Sequence, residues 1–599
     1  MRSVARSSLY AVSILSGSIV SASAAYAQST VGAPTREEVQ RAPLSPTPPR
    51  GARITVEGEV ERAPCPLADP VYKDINITLS GAEFNGLKGV PADLLKSTYA
   101  DLIGKTLPIA TVCEIRDRAA TILRRNGYLA AVQVPPQRIA GGIVKFDVLM
   151  ARLVGFQVRG DAGKSEHLIQ RYLTAIQDQP VFNILTTERY LLLARDIPGF
   201  DVRMTLRPAG TVPGEVIGEI QVVRTPVELD VNVQNLGSRE VGRFGGIAQL
   251  RLNGVFGMGD RTTFGFFSTA DFKEQQVVQA SEEIRIGREG LTLGADFNYA
   301  WTNPTIPNFT LRSRTLAATL RARYPLIRRQ SHNLFLSGGM DFVNQASRLI
   351  GPTGVLPLSR DRLRVGYARL DYQAIDPASI AGVTGYSISE PRWSLGGSLE
   401  LRQGVDIFDA SPDCRANPAG CVAGGATPPS RLIADPTAFV ARASADVTFR
   451  PIPIVSFSLQ PRGQYAPHAL LSYEQFSAGN YTIGRGFDPG TLLGDSGLGV
   501  RGEVAVGSMV PRSRKDIAIQ GYGFIDAAWA WNHDRTSTVN YPEKLQSGGG
   551  GIRAAFGDRF QADASVAVPF GAAGLQTRRG DTRFLISLTA KLLPWGRNR

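Results

Sequence analysis

From about Thr225 to the C-terminus the chain repeats with a period of two, and this alternation limits the possible folds more than any other feature. Val227, Leu229, Val231 and Val233 alternate with Glu228, Asp230, Asn232 and Gln234. Leu316, Ala318, Leu320, Ala322 and Tyr324 alternate with Thr315, Thr319, Arg321 and Arg323. Trp393, Leu395, Leu399 and Leu401 oppose Ser394, Ser398, Glu400 and Arg402, and Phe439 to Phe449 and Val455 to Leu459 repeat the pattern. The last segment sets Phe584, Ile586, Leu588, Ala590 and Leu592 against Arg583, Ser587, Thr589 and Lys591. Successive strand side chains point to opposite faces, so each segment has one apolar and one charged face. A soluble sandwich hides its apolar face and puts short polar residues outside. Here charge recurs on the polar face, as a wet lumen allows, and that is the pattern of a transmembrane β-barrel. Residues 225–599, at roughly 20–25 per strand and loop, predict about 16 antiparallel strands, an even number as expected of such barrels.

The beginning of the chain sets the compartment. Arg2 and Arg6 precede an uncharged stretch from Ser7 to Ser23, and Ala25-Tyr26-Ala27 offers a small-x-small cleavage site, so residues 1–27 read as a secretory signal peptide. The net charge of +13 is scattered rather than clustered, which argues against nucleic acid as a partner. Four cysteines in an exported chain suggest two disulfides. Cys414 and Cys421 would close a small loop, and Cys65 and Cys113 would tie the N-terminal segment to a helix, although spacing alone does not fix the pairing.

Residues 28–62 combine a short helical fragment with a linker rich in Pro43, Pro46, Pro48 and Pro49. Thr35 is placed as its N-cap and Glu38 at the capping-box position. Residues 63–151 and 152–224 each read as β-α-α-β-β. The first copy has a strand over Asn76–Leu79, helices over Ala92–Leu102 and Val112–Asn126, and strands over Ala130–Val134 and Ile143–Met150. The second has a strand over Leu153–Val158, helices over Glu166–Ala175 and Thr186–Asp196, and strands over Val202–Arg207 and Val216–Val223. Asn126-Gly127-Tyr128 is mirrored by Pro198-Gly199-Phe200, so the unit is an internal repeat. A small sheet of this kind leaves an edge open to an added strand.

One stretch inside the barrel region is too glycine-rich for a strand and too long for a turn: Asn480-Tyr481-Thr482-Ile483-Gly484-Arg485-Gly486-Phe487-Asp488-Pro489-Gly490. Its arginine lies between glycines that let the backbone approach another surface. Between Asp516 and Asn532, Ile517, Ile519, Ile525, Trp529 and Trp531 share one face, while Gln520, Tyr522, Phe524 and Asp526 share the other. Asp526 is thus expected to face the lumen and to pair with an inward-folded Arg485. The alternative is two ordinary charges in a wet channel.

Arg485-Gly486-Phe487 with the following Gly-Asp-x-Gly and Arg-x-Glu resembles the loop motif of the POTRA-barrel superfamily of outer-membrane transporters and insertases, and Phe524-Ile525-Asp526 resembles its wall motif. Arg116-Asp117, Gly127-Tyr128, Pro135-Pro136-Gln137 and Gly141-Gly142 resemble the first POTRA domain of TpsB-type two-partner-secretion transporters, the haemolysin and filamentous-haemagglutinin exporters. Asn253 to Asp260 and Glu474 to Phe476 are similar to the same family. The resemblance implies a mainly β protein, a 16-stranded transmembrane β-barrel preceded by two α+β POTRA domains, in the outer membrane of a Gram-negative bacterium. It implies export of a partner, a β-helical exoprotein captured by its N-terminal secretion domain, with Arg116, Tyr128 and Gln137 as substrate-binding candidates. Arg485, Gly486, Phe487, Asp526 and Phe524 would form a loop-to-wall strut. Outer-membrane lipid, periplasmic chaperones and the barrel-assembly machinery are the further partners implied. Three departures stand out: Gly484 replaces the usual valine, the chain runs past its last strand where such a barrel ends on an aromatic, leaving Leu592 or Trp595 as candidates for the assembly signal, and the N-terminal helix is short for a lumen plug.

Enzyme readings find little support. His167, His332, His468 and His533 are isolated, without metal-ligand spacing. Gly497-x-Gly499-x-x-Gly502 leads into a strand rather than a helix and fails as a dinucleotide fingerprint. No cofactor is expected. The competing functions are an insertase that assembles other outer-membrane proteins and a passive porin.

Overall fold

The computed structural model describes residues 33–41, 54–56, 65–210, 212–306, 309–351, 354–382, 385–533, 542–573 and 578–594. The expected signal peptide, most of the proline-rich linker and Trp595 lie outside them.

The alternating half closes into a barrel of sixteen antiparallel strands, from Val227–Gln234 to Arg583–Leu593, with the two-residue segment Thr305–Ile306 beside Phe309–Arg328. The first strand pairs with the last from Leu229↔Leu593 to Gln234↔Ser587, with an irregularity between Leu229 and Asp230. The final strand thus includes Leu593, one residue beyond the sequence expectation. Burial is inverted relative to a soluble protein. Phe584 is 68% exposed and Ile525 64%, while Asp230 and Asp526 are fully buried inside. In hydrocarbon only a closed sheet satisfies its backbone, and its outer face must be apolar. The three longest strands, Phe309–Arg328, His332–Gly351 and Gly354–Ile375, have 20, 20 and 22 residues, well beyond the ~9–11 that cross a bilayer. Strand Trp393–Gly404 pairs with Gly354–Ile375 over Val365–Ile375 alone, so residues 354–364 rise past it.

The first small module has a three-stranded sheet, ordered Gly81–Asn85, Ile143–Met150, Ala130–Gln133, under the helix Thr111–Arg125. Val112, Ile115, Ala119 and Leu123 bury one stripe of that helix against Val144, Phe146 and Val148. The helix expected over Ala92–Leu102 is instead two 3-10 segments, Ala92–Thr98 and Ala100–Leu102. Pro91 sets the start, and Thr98 turns its hydroxyl back to Leu95 O at 2.6 Å, which tightens the turn.

The second module packs helices Glu166–Gln177 and Ile184–Arg195 on a four-stranded sheet, ordered Ile54–Val56, Phe200–Pro208, Glu215–Arg224, Arg152–Gly160. Its core is built on Tyr172, Phe182, Leu168, Ile169 and Ile176. The short edge strand Ile54–Val56 comes from the linker, which sequence pattern read as strandless. The mirrored glycines both take left-handed backbone, φ 83° at Gly127 and 76° at Gly199. A Cβ on Gly199 would lie 2.3 Å from Thr225 O, where the chain passes into the barrel. This module is fastened to the barrel by Arg328, which contacts Asp196 through Nε and Nη2 at 2.7 Å each.

Candidate functional site: a hairpin pinned inside the barrel

Strands Phe476–Ala478 and Leu492–Gly494 form a hairpin stem that carries the glycine-rich stretch back into the lumen. Its tip is built around one carboxylate. Asp526 Oδ2 accepts from the backbone N–H of Arg485 at 2.8 Å and of Gly484 at 3.2 Å, and from Arg485 Nε at 3.1 Å; Oδ1 accepts from Arg485 Nη2 at 3.0 Å. Arg501 Nε adds a contact at 3.5 Å. The guanidinium carbon lies over the Phe524 ring, 3.4 Å from its centroid, a cation–π arrangement favoured for arginine. Its remaining Nη1 reaches Glu503 at 3.1 Å, and Glu503 passes the link to Arg553 and Asp563. A planar, permanently charged fork is the side chain suited to this double contact.

The glycines make the approach possible. Gly484 has φ 120°, a conformation a valine would adopt only with strain, while its N–H serves Asp526. A Cβ on Gly486 would lie 2.7 Å from the Ser547 side chain, whose Oγ accepts the Gly486 N–H at 3.2 Å. Phe487 is fully buried among Phe476, Ile483, Leu492, Ala528 and Leu545. The tip is thus held by an ion pair on one side and an apolar plug on the other.

At the hairpin base a second cluster grips the neighbouring strands of the wall. Glu474 accepts from Arg402 Nη2 at 2.6 Å and Arg442 Nη2 at 2.5 Å, and Arg402 also meets Asp341 and Glu400 at 2.7 and 3.0 Å. Asp495, fully buried, accepts from Arg431, from Leu470 N and from His533 N, fixing the return of the hairpin to the wall.

The N-terminal fragment also stands in the lumen. Thr35 and Glu38 form a reciprocal capping box on the single-turn helix Arg36–Val39. Val39 is fully buried in a cluster with Val343, Leu363 and Tyr473. Arg41 lies 3.4 Å over Phe267 and bonds Gln275 and the Tyr481 hydroxyl, so the helix touches both wall and hairpin. Beside it remains a polar cavity of about 790 Å³, lined among others by Arg36, Glu37, Arg369, Glu400 and Arg462.

Residues 219–554 match the family described as haemolysin secretion/activation protein ShlB/FhaC/HecB. The chain belongs to this family. Among curated relatives of this ShlB/FhaC/HecB protein is the heme/hemopexin transporter protein HuxB of Haemophilus influenzae (strain 86-028NP), 24% identical over 197 residues; the match spans 32% of this chain and about a third, 35%, of that protein. CdiB from Escherichia coli has the same fold at TM-score 0.68, with 15% identity and 91% and 94% of the two chains covered. CdiB from Acinetobacter baumannii follows at TM-score 0.62, 17% identity and 90% and 94% coverage. The family is one of transporters in the outer membrane of Gram-negative bacteria, and the two small modules precede the matched barrel region.

In this ShlB/FhaC/HecB protein the three substrate-binding candidates Arg116, Tyr128 and Gln137 each have a partner within the chain. Arg116, on the helix of the first module, meets Asp117 at 2.9 and 3.0 Å. Tyr128 is half-buried against the first core and bridges to Asn183 of the second module. Gln137 gives its amide to Lys145 O and accepts from Lys145 N, both at 2.7 Å, continuing the sheet ladder past Gln133. Cys65 is joined to Cys113 and Cys414 to Cys421, with Cα separations of 5.9 and 6.0 Å. Sequence reasoning put Glu400 and Arg402 on the polar faces but did not see that Arg402 and Arg442 converge on Glu474 and Glu400; inward charges on neighbouring strands were the available signal.

Proposed function

We propose that this outer-membrane protein is a two-partner-secretion translocator: its POTRA domains capture an exoprotein, which then threads the barrel lumen to the cell surface. The observation that carries this reading is the content of the lumen. The chain fills its own channel with a one-turn helix and a re-entrant hairpin, both held largely by polar contacts at the walls. A passive pore gains nothing from such occupants, whereas an exporter needs a channel closed at rest and opened by its cargo. The exoprotein would present an extended N-terminal secretion domain and fold outside into a β-helix, and that folding would supply the drive where no nucleotide is available. Outer-membrane lipid surrounds the barrel, and periplasmic chaperones and the barrel-assembly machinery would deliver it there. The Arg485–Asp526 contact acts in this scheme as a strut that sets the hairpin, not as a catalyst.

The test is deletion of the gene followed by comparison of culture-medium and outer-membrane proteins. One missing exoprotein is expected. Loss of several outer-membrane proteins would instead assign an insertase. Removing residues 71–224 should abolish secretion while leaving a folded barrel, and unimpaired export by that variant would overturn the capture role.

A further inference from the structure

We infer that four outward-facing arginines on the longest strands, Arg312, Arg314, Arg348 and Arg360, form a docking site for the phosphorylated headgroup of the outer-leaflet glycolipid, lipopolysaccharide. The inference rests on the orientation that the secretion reading requires, with the small modules on the inner side of the outer membrane.

Strand parity and register bring the four together. Phe309–Arg328 turns Ser313 and Thr315 inward, at 1% and 0% exposure, so Arg312 and Arg314 point outward with Leu320. Arg312 lies directly opposite Arg348 in His332–Gly351, and Arg314 lies opposite Ala346. On its other side Ala346 faces Arg360 of Gly354–Ile375. Arg314 and Arg360 thus flank Ala346, roughly 10 Å apart across two strand spacings. All four arginines are exposed, and none has an ion pair or side-chain hydrogen bond to a described residue. Their neighbours on the same face differ. Arg362 pairs with Asp409, and Arg364 is buried with its Nε on Phe408 O at 3.2 Å. The loop after Trp393–Gly404 supplies both of those partners, and among the described residues it supplies none to the four.

Their height identifies the guest. Trp301 is the register partner of Arg314 on its far side, and the Trp301 and Tyr299 ring centroids are 4.5 Å apart. Aromatic girdles of this kind mark the membrane interfaces of a barrel. Next along the outer face come Leu316, Ala318, Leu320, Ala322 and Tyr324, about eight steps of ~3.3 Å, which fill the lipid band. The arginines stand just past this band, at the end away from the modules, since Arg328 at the strand's other end holds Asp196. Phosphate is what a side chain meets at that height. Like charges directly opposite repel, and a phosphate seated between Arg312 and Arg348 replaces that repulsion by two charge-assisted contacts. Arg314 and Arg360 offer the same to a second phosphate. The geometry therefore selects a bisphosphorylated disaccharide headgroup, the lipid A type, over a headgroup with one phosphate. Basic clusters at a membrane surface recognise anionic lipid in this manner. Bound there, the glycolipid ties the three longest strands of the wall to the outer leaflet.

The test titrates the purified full-length protein in detergent with bisphosphoryl lipid A and reads bound lipid by native mass spectrometry. Wild type should bind, and EDTA should not release the lipid, because arginine rather than a bridging divalent cation holds it. Lipid A stripped of phosphate and phosphatidylglycerol should each bind at least tenfold more weakly. Arg312→Gln/Arg348→Gln should bind about 25-fold more weakly, at about fivefold per arginine. Arg312→Lys/Arg348→Lys, which keeps the charge, should stay within about fivefold of wild type. Arg512→Gln, an exposed arginine in the turn at the module end, should change nothing. Undiminished binding by the double glutamine variant overturns the inference, as does equal binding of phosphatidylglycerol or of the stripped lipid. The lipid comparison uses wild type alone, so it decides the question even if a variant does not fold. Orientation is read separately: Val355→Cys, on the same ribbon past the cluster, should react with a membrane-impermeant maleimide on intact cells. If it does not, the orientation behind the secretion reading fails, whatever lipid binding shows.

Discussion

Asp488, in the re-entrant hairpin, lies 2.6 Å from Arg583 on the strand that closes the barrel. The same carboxylate meets Arg243 Nη1 and accepts from the Arg239 N–H, both at 3.3 Å, in the loop after the first strand. Asn480 Nδ2 reaches Leu236 O at 3.0 Å in that loop as well. The hairpin therefore touches both sides of the seam where first and last strands meet. That seam is short: five residues in uninterrupted register, Asp230 to Gln234, beyond the irregularity at Leu229.

Asp488→Ala should weaken this closure. Two arginines lose their shared carboxylate, and removing one partner of a largely buried pair costs more than the pair contributed. The barrel should lose its compact, heat-modifiable gel mobility at a lower temperature than wild type, and a Val233→Cys/Leu588→Cys pair placed across the seam should cross-link more slowly. Unchanged melting and cross-linking would show that the seam holds without the clasp.

Arg485→Ala and Asp526→Asn should both insert and secrete poorly, by tenfold or more. Each leaves a buried partner unsatisfied, at about 3–5 kcal/mol. Arg485→Lys should not rescue, because an ammonium supplies neither the fork to Asp526 nor the flat face over Phe524. The two single defects should not add in Arg485→Ala/Asp526→Asn, since the residues act as one unit. Normal export by either single variant contradicts the strut.

Val39→Asp should open the channel. It places an unpaired carboxylate in the apolar cluster of Val343, Leu363 and Tyr473, which costs several kcal/mol unless the helix leaves. Steady conductance in planar bilayers should rise well above wild type. A closed channel in this variant would show that the helix does not obstruct the path.

Tyr172 supplies a pH signature for the second small module. Burial pushes its phenol up to about 12, from an ordinary value near 10. The folded state therefore holds this proton longer than the unfolded chain does. Its stabilising effect is complete below pH ~10 and is lost as the unfolded phenol ionises above that value. Thermal unfolding followed by circular dichroism at the helical band should show wild type losing stability above pH ~10, with Tyr172→Phe losing less. Identical alkaline profiles would remove Tyr172 as the cause.

The barrel was legible because lipid turns the usual burial rule outward. Alternation such as Trp393 to Leu401 against Ser394 to Arg402 registers strongly when charge recurs on one face. Arg485 and Asp526 could be named together because a loop motif and a strand parity each singled one out. What stayed hidden were contacts with no local signature. Asp488 and Arg243 are 245 residues apart, and Arg41 and Tyr481 are 440 apart, so neither pair follows from periodicity. Ile54–Val56 could not be seen because three residues in a proline-rich linker carry no pattern; the neighbouring strand makes them extended. The 3-10 geometry of Ala92–Thr98, closed by the Thr98 hydroxyl on Leu95 O, has no marker in the hydrophobic spacing.

The bidentate clamp between Asp196 and Arg328 has a mechanical corollary. Arg328 ends a strand of 20 residues, roughly 65 Å long at about 3.3 Å per residue, about twice what crosses a bilayer. Any tilt of the soluble half tugs directly on that ribbon. Motion in the periplasm can thus be felt at the cell surface along the wall itself, without a signal passing down the bore.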